Sequence, residues 1–128
     1  MTMPNFSPAA AWNNESATTA VEFAIVAPVF ILLSIGVIYL CLGLYAVGSL
    51  QYAVEEAARC ASVKTTICTN SASIVSYAKN HFYGAGTAPS FSYAASGCGH
   101  SVSATLSYVV DLGLTAITVP LSASACFP

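Results

Sequence analysis

Residues 22–50 read EFAIVAPVFILLSIGVIYLCLGLYAVGSL, one carboxylate followed by a run of apolar and small residues, and no charge recurs until Glu55. About 20 apolar residues span the hydrocarbon core of a bilayer as a helix, so this stretch predicts a transmembrane helix. Thr18 or Thr19 can cap its start, which places Glu22 in the first turn, where the helix dipole favours an acid. Pro28 lies inside the run and predicts a bend or a loosened turn, because it removes a backbone donor and its ring crowds the preceding turn. Gly36, Gly43 and Gly48 suit a closely packed surface and an ordinary membrane helix equally.

The helix is expected to outlast the apolar run. Val47, Leu50, Val54, Ala57 and Ala61 recur at helical spacing, with Gln51, Glu55, Arg59 and Ser62 on other faces. From Thr18 to about Val63 this describes a rod of roughly 70 Å at 1.5 Å per residue. Its first half is apolar all round and its second half amphipathic, so the second half has something to pack against. Glu55 and Arg59, four apart, predict an exposed ion pair.

Beyond the rod the pattern changes twice. The segment SVKTTICTNSAS, residues 62–73, has turn chemistry, and Thr69 to Ser71 offer helix caps. Ile74, Tyr77, Ala78, His81 and Phe82 then form one helical face, predicting a short helix over about 71–83 that Gly84 and Gly86 end. From there the period becomes two. Val102, Ala104, Leu106 and Tyr108 alternate with small polar residues, as do Ile117, Val119, Leu121, Ala123 and Ala125, and both runs read as half-buried strands. Pro120 assigns the last strand to a sheet edge or a bulge. Phe91 to Ala95 offers a third strand. The expected class is α+β: a long N-terminal helix, transmembrane in its first half, carrying a small head of one short helix and a two- to three-stranded antiparallel sheet. The division is residues 1–17 as a disordered leader, 18–63 as the long helix with its membrane span at about 22–48, and 64–128 as the head.

Composition limits what such a protein does. Of 128 residues only 6% are charged, the mean hydropathy is +0.72, and three basic residues against a net charge of -2 exclude an electrostatic footprint for nucleic acid. A head of this size needs a staple. Of the five cysteines, Cys41 lies mid-membrane as a small packing residue, leaving Cys60, Cys68, Cys98 and Cys126. Four cysteines allow three pairings. Placement favours Cys60–Cys68, which flank the turn after the rod, and Cys98–Cys126, before the middle strand and at the end of the last. Zinc is the rival use, but there is no C-x-x-C pair and no clustered histidine pair, so no metal or other cofactor is expected. Disulfides require an oxidising compartment, which sets the C-terminal side outside the cytoplasm. Charge gives no help with orientation, since Arg59 and Lys64 follow the span. No Lys or Arg precedes the apolar run, and the run is too long for the core of a cleaved secretory signal.

No enzyme is expected. Glu55 and Glu56 are adjacent on a helix and face different ways, so they do not form an acid–base pair. His81 falls on the apolar side of its helix and His100 in a glycine-rich loop, and neither has a nucleophile or carboxylate set beside it. Glu22 has two readings. It is either an interfacial carboxylate held by the helix dipole, or an acid that enters a helix bundle and there requires a positive partner. No Lys, Arg or His precedes Arg59 to supply one.

The string Ala17-Thr18-Thr19-Ala20-Val21-Glu22-Phe23-Ala24-Ile25-Val26-Ala27-Pro28 resembles the opening of the TadE-like pseudopilins, minor pilins of tight-adherence (type IVc) pili. In that family a Gly precedes a T-A-V-E-F-A-L-V-x-P pattern, and Ala17 stands in its place here. The likeness continues through Gln51-Tyr52-Ala53-Val54-Glu55-Glu56-Ala57-Ala58-Arg59 and covers about the first half of the chain. The resemblance implies a pilin-like fold and a precursor in the bacterial inner membrane, its head in the periplasm, with possible passage into an extracellular pilus. It also implies cleavage by a prepilin peptidase between Ala17 and Thr18. Glu22 would then be fifth in the mature chain and, with Phe23, take part in subunit assembly, while Pro28 gives the helix flexibility. The implied partners are other pilin subunits and the pilus assembly machinery. The alternative is a signal-anchored envelope protein whose small ectodomain binds a ligand or partner.

Overall fold

The computed structural model describes residues 15–84 and 86–128. Its elements are α1 (Glu15–Val63), α2 (Ser71–Asn80), β1 (Ser90–Ser96), β2 (Gly99–Asp111) and β3 (Ala116–Phe127). This is the α+β arrangement that the two periodicities predict. The chain divides into two compact units, residues 1–38 and 39–128. Most of the leader expected at 1–17 lies outside the described residues.

In the first unit α1 is apolar and bare. Phe23 is 73% exposed and Leu32 71%, with Ile25, Val26, Phe30 and Leu33 comparably open. Over its most apolar 18 residues the helix has a mean hydropathy of 2.7, and none of that window is buried within the chain. A helix with no polar face and no covering element has the composition of a segment whose solvent is lipid. It is long and apolar enough to cross a membrane. The helix starts at Glu15, three residues ahead of Thr18, and is continuous across Pro28. Ser34 returns its hydroxyl to the Phe30 carbonyl at 2.8 Å, the usual way a serine hides its polarity on an apolar helix.

In the second unit the remainder of α1 acquires a buried face. Ala46, Leu50, Ala53, Val54, Ala57, Ala58 and Ala61 are at most 4% exposed. The expected stripe holds from Leu50 onward, but at its start Ala46 is buried and Val47 stays open. Opposite lies the sheet, ordered β1-β2-β3 and antiparallel throughout, with Val102, Ala104, Leu106 and Tyr108 of the central strand turned inward. Apart from Ala53 and Tyr108, these residues share one core with Ile74 and Ala78 of α2. The helix α2 is capped by Asn70, whose side chain accepts the Ser73 amide while the Ser73 hydroxyl answers the Asn70 amide. It ends at Asn80 with His81 as C-cap, before the glycines expected to stop it. There the His81 ring meets the Tyr77 carbonyl at 2.8 Å and stacks on the Tyr77 ring, taking a helix-end acceptor that a glycine cap leaves to the backbone.

Both favoured disulfides are present, Cys60–Cys68 and Cys98–Cys126. The first closes the turn after α1, where the Lys64 amide still bonds the Cys60 carbonyl. The second joins the β1–β2 turn to the end of β3, where Cys126 lies opposite Ser101. Further ties fasten the head to the helix: Ser62 Oγ donates to the Pro128 carbonyl at 2.7 Å, and the Tyr83 amide donates to Ser49 Oγ at 2.7 Å.

Candidate functional site

The residues that the sequence singles out for function lie in the first unit, along two turns of α1. Ala17, Thr18, Glu22 and Phe23 are all within the helix, and Thr18, Glu22 and Phe23 are exposed. Because α1 begins at Glu15, Glu22 lies about two turns inside it. The unsatisfied amides of a helix are its first four, and the dipole acts within the first turn. Glu22 is therefore not held by the helix end, and the interfacial reading loses its main physical support in the uncut chain. One turn on, its neighbours are apolar and open, Val26 62% exposed and Ile25 68%, and one turn back they are Thr18 and Thr19. Glu22 is thus the one charge between Glu15, where α1 starts, and Glu55, with no basic side chain before Arg59.

Cleavage before Thr18 would change that setting. It would remove the turn ahead of Thr18, make Thr18 the helix end and place a charged amine there, one whose ordinary pKa is near 8. Glu22, four residues on and exposed, would then lie one turn from that amine. Pro28 lies about one and a half turns further on, where the ring leaves the Ala24 carbonyl without its helical donor.

The head offers less chemistry. Glu55 accepts a hydrogen bond from Gln51 Nε2 at 2.9 Å, one turn before it, in place of the expected partner Arg59, one turn after it. His100 lies in β2, with Nδ1 2.6 Å from the Tyr93 hydroxyl and the two rings stacked. Sequence reasoning set it in a loop, because the glycines at 97 and 99 read as loop where they form a tight β1–β2 turn. Lys64 reaches the Tyr77 hydroxyl at 3.2 Å. Among the described residues no group of three His, Cys, Asp or Glu is placed to hold a metal ion. Each histidine is engaged in a local structural contact.

With this geometry in view, the family comparison falls on the same stretch. The model of the TadE-like protein family matches residues 17–59. This stretch is TadE-like. The match begins at Ala17, takes in Glu22 and Pro28, and ends at Arg59, one residue before the first bridged cysteine. The TadE-like segment thus holds the bare half of α1 and most of its buried half, and the sheet lies beyond it. No curated protein and no solved structure matches the chain. A single apolar N-terminal helix and a TadE-like segment together fit a membrane-anchored, pilus-associated protein.

Proposed function

We propose that this chain is a minor pilin or pseudopilin of a tight-adherence pilus, acting in its assembly or initiation. One observation carries the reading: the TadE-like match opens at Ala17, on an exposed apolar helix whose one charge between Ala17 and Glu55 is Glu22. In this account residues 1–17 are a leader, 18–63 the assembling helix and 64–128 a head in the periplasm. The precursor waits in the inner membrane until a prepilin peptidase cuts between Ala17 and Thr18. The bare half of α1 then passes from lipid into a bundle of like helices. Both surroundings are apolar, so the transfer does not oppose the full hydrophobic effect. In the bundle Glu22 pairs with the amine of a neighbouring Thr18, and Phe23 packs beside it. The reading assigns no catalytic role and no cofactor.

The deciding experiment is the mature N-terminus. Protein purified from the membrane fraction of cells carrying the prepilin peptidase should begin at Thr18 by N-terminal sequencing and intact mass. A chain that retains its leader in those cells means a signal-anchored envelope protein, and the pilin reading fails.

A further inference from the structure

The β2–β3 hairpin carries apolar side chains that the core does not use. The inward face of the sheet continues past Tyr108 through Val110, paired with Ile117, and through Val119, paired with Tyr108. Alternation predicts that Ile117 and Val119 are covered, yet they are 53% and 40% exposed. The turn beyond them adds Leu112, 53% exposed, and Leu114, 97% exposed, with Val109 at 46% on the opposite face. No Lys or Arg follows Lys79, and Asp111 is the sole acidic residue in that region. Its carboxylate is occupied within the turn, accepting the Gly113 amide at 2.8 Å.

The tip is fixed to a particular level of α1. Tyr39 donates its hydroxyl to the Asp111 carbonyl at 2.8 Å, and Tyr108 donates its hydroxyl to the Tyr39 carbonyl at 3.3 Å. Between that tie and the first buried residue, Ala46, Gly43 faces the Tyr108 ring, while Leu40 and Leu44 stay 63% and 64% exposed. A hydrocarbon core of about 30 Å takes about 20 helical residues. Counted from Phe23, it ends near Leu42. The hairpin tip is tied to the helix at Tyr39, three residues before that end.

We infer that the Leu112–Leu114 turn, with Ile117 and Val119 behind it, is a second membrane contact that seats the head on the lipid surface. The occupant is the headgroup and upper acyl layer of the bilayer that holds α1. Continuity decides for lipid: the tip is tied to the anchoring helix at Tyr39, and the helix residues flanking that level, Leu40 and Leu44, are as open and apolar as the tip. The depth is interfacial. Backbone groups of the turn still require water, which hydrocarbon withholds, and Asp111 stays at headgroup level. The inference rests on the membrane-anchored reading of α1.

The test uses the full chain, disulfides intact, in vesicles of phosphatidylethanolamine and phosphatidylglycerol. Trp12→Phe removes the native tryptophan, and single reporters are then placed by Leu114→Trp, Leu33→Trp and Ser124→Trp, all at exposed positions. The expected result is that the reporter at 114 is quenched by lipids brominated near the glycerol end of the acyl chains. Its quenching by aqueous iodide should be several-fold weaker than that of the reporter at 124. If the reporter at 33 is quenched by brominated lipid while that at 114 behaves like 124, the anchor stands and the tip contact is refuted. If 114 is shielded from both quenchers and opens to iodide as lipid is added in excess, a second copy covers the tip and the lipid assignment is wrong. If the reporter at 33 escapes brominated lipid, the anchor itself fails and the tip contact fails with it.

Discussion

At the scale of single residues, Glu22 has its meaning set by which end of the helix it is near. In the uncut chain it lies too far inside α1 for the dipole to stabilise it. The proposed cleavage before Thr18 would set it one turn from a charged amine, so a single hydrolysis would turn an acid with no basic partner near it in sequence into a pairing group. Replacing Glu22 by Ala or by Gln should leave membrane insertion intact, because the apolar run is untouched. Both should abolish incorporation, since a buried charge pair with one partner removed loses about 3 kcal/mol or more. Recovery of either variant at normal stoichiometry with affinity-purified pili would end the pairing account. Gly99 is a second position where one atom matters. Its φ of +114° is a region that side chains avoid, and an added Cβ would collide with the Phe127 carbonyl and the Pro128 backbone. Gly99→Ala should lower the stability of the head by about 1–3 kcal/mol, read as an earlier denaturation midpoint.

Among the elements, the buried face of α1 is the most exacting. Ala53 and Ala57 are fully buried, and Ala57 belongs to the core shared with the sheet. Ala57→Leu should cost about 1–3 kcal/mol by overpacking, and Leu50→Ala about 2–5 kcal/mol by leaving a cavity. Chemical denaturation of the two variants beside an exposed change such as Glu55→Ala checks this, and equal midpoints for all three would mean that the stripe is not the core. Much of the fold was legible here. The strict alternation of Val102 to Tyr108 named the inward face of β2, and the 3.6 spacing from Leu50 to Ala61 named the packed face of α1. The misreadings share one cause. Alternation records which side chains are apolar, not whether anything lies on them, so Ile117 and Val119 read as buried although they stay 53% and 40% exposed. The Glu55–Arg59 pair fails for a related reason, because spacing offers Glu55 two partners and Gln51 takes it. A glycine was expected to end α2 because the ring of His81, meeting the Tyr77 carbonyl, is a contact that composition does not announce.

On the scale of the whole chain, sequence and structure divide the work. The candidate site was readable because it is a linear string, Ala17 to Pro28, that needs no tertiary contact to be recognised. The tie between Tyr39 and Asp111 was not, since it joins residues 72 positions apart. The two disulfides differ in accessibility. Cys60 and Cys68 are 1% and 5% exposed, whereas Cys98 and Cys126 are open to solvent. A mild reductant should therefore open Cys98–Cys126 first, and alkylation followed by peptide mass mapping should find a half-reduced species labelled at those two residues. Preferential labelling of Cys60 and Cys68 would contradict the burial. The spacing of the bridges also has a consequence in time. One closes across 8 residues and needs only the end of α1 and the turn after it; the other closes across 28 and needs both hairpins. In the proposed orientation the end of the head next to the membrane helix would emerge first into an oxidising space, and could lock Cys60 to Cys68 while Cys98 is still inside the translocation channel. Those two sulfurs then leave the pool, and Cys98 and Cys126 find only each other. Of the three pairings that four cysteines permit, the order of emergence selects one, with no isomerase needed to correct the rest.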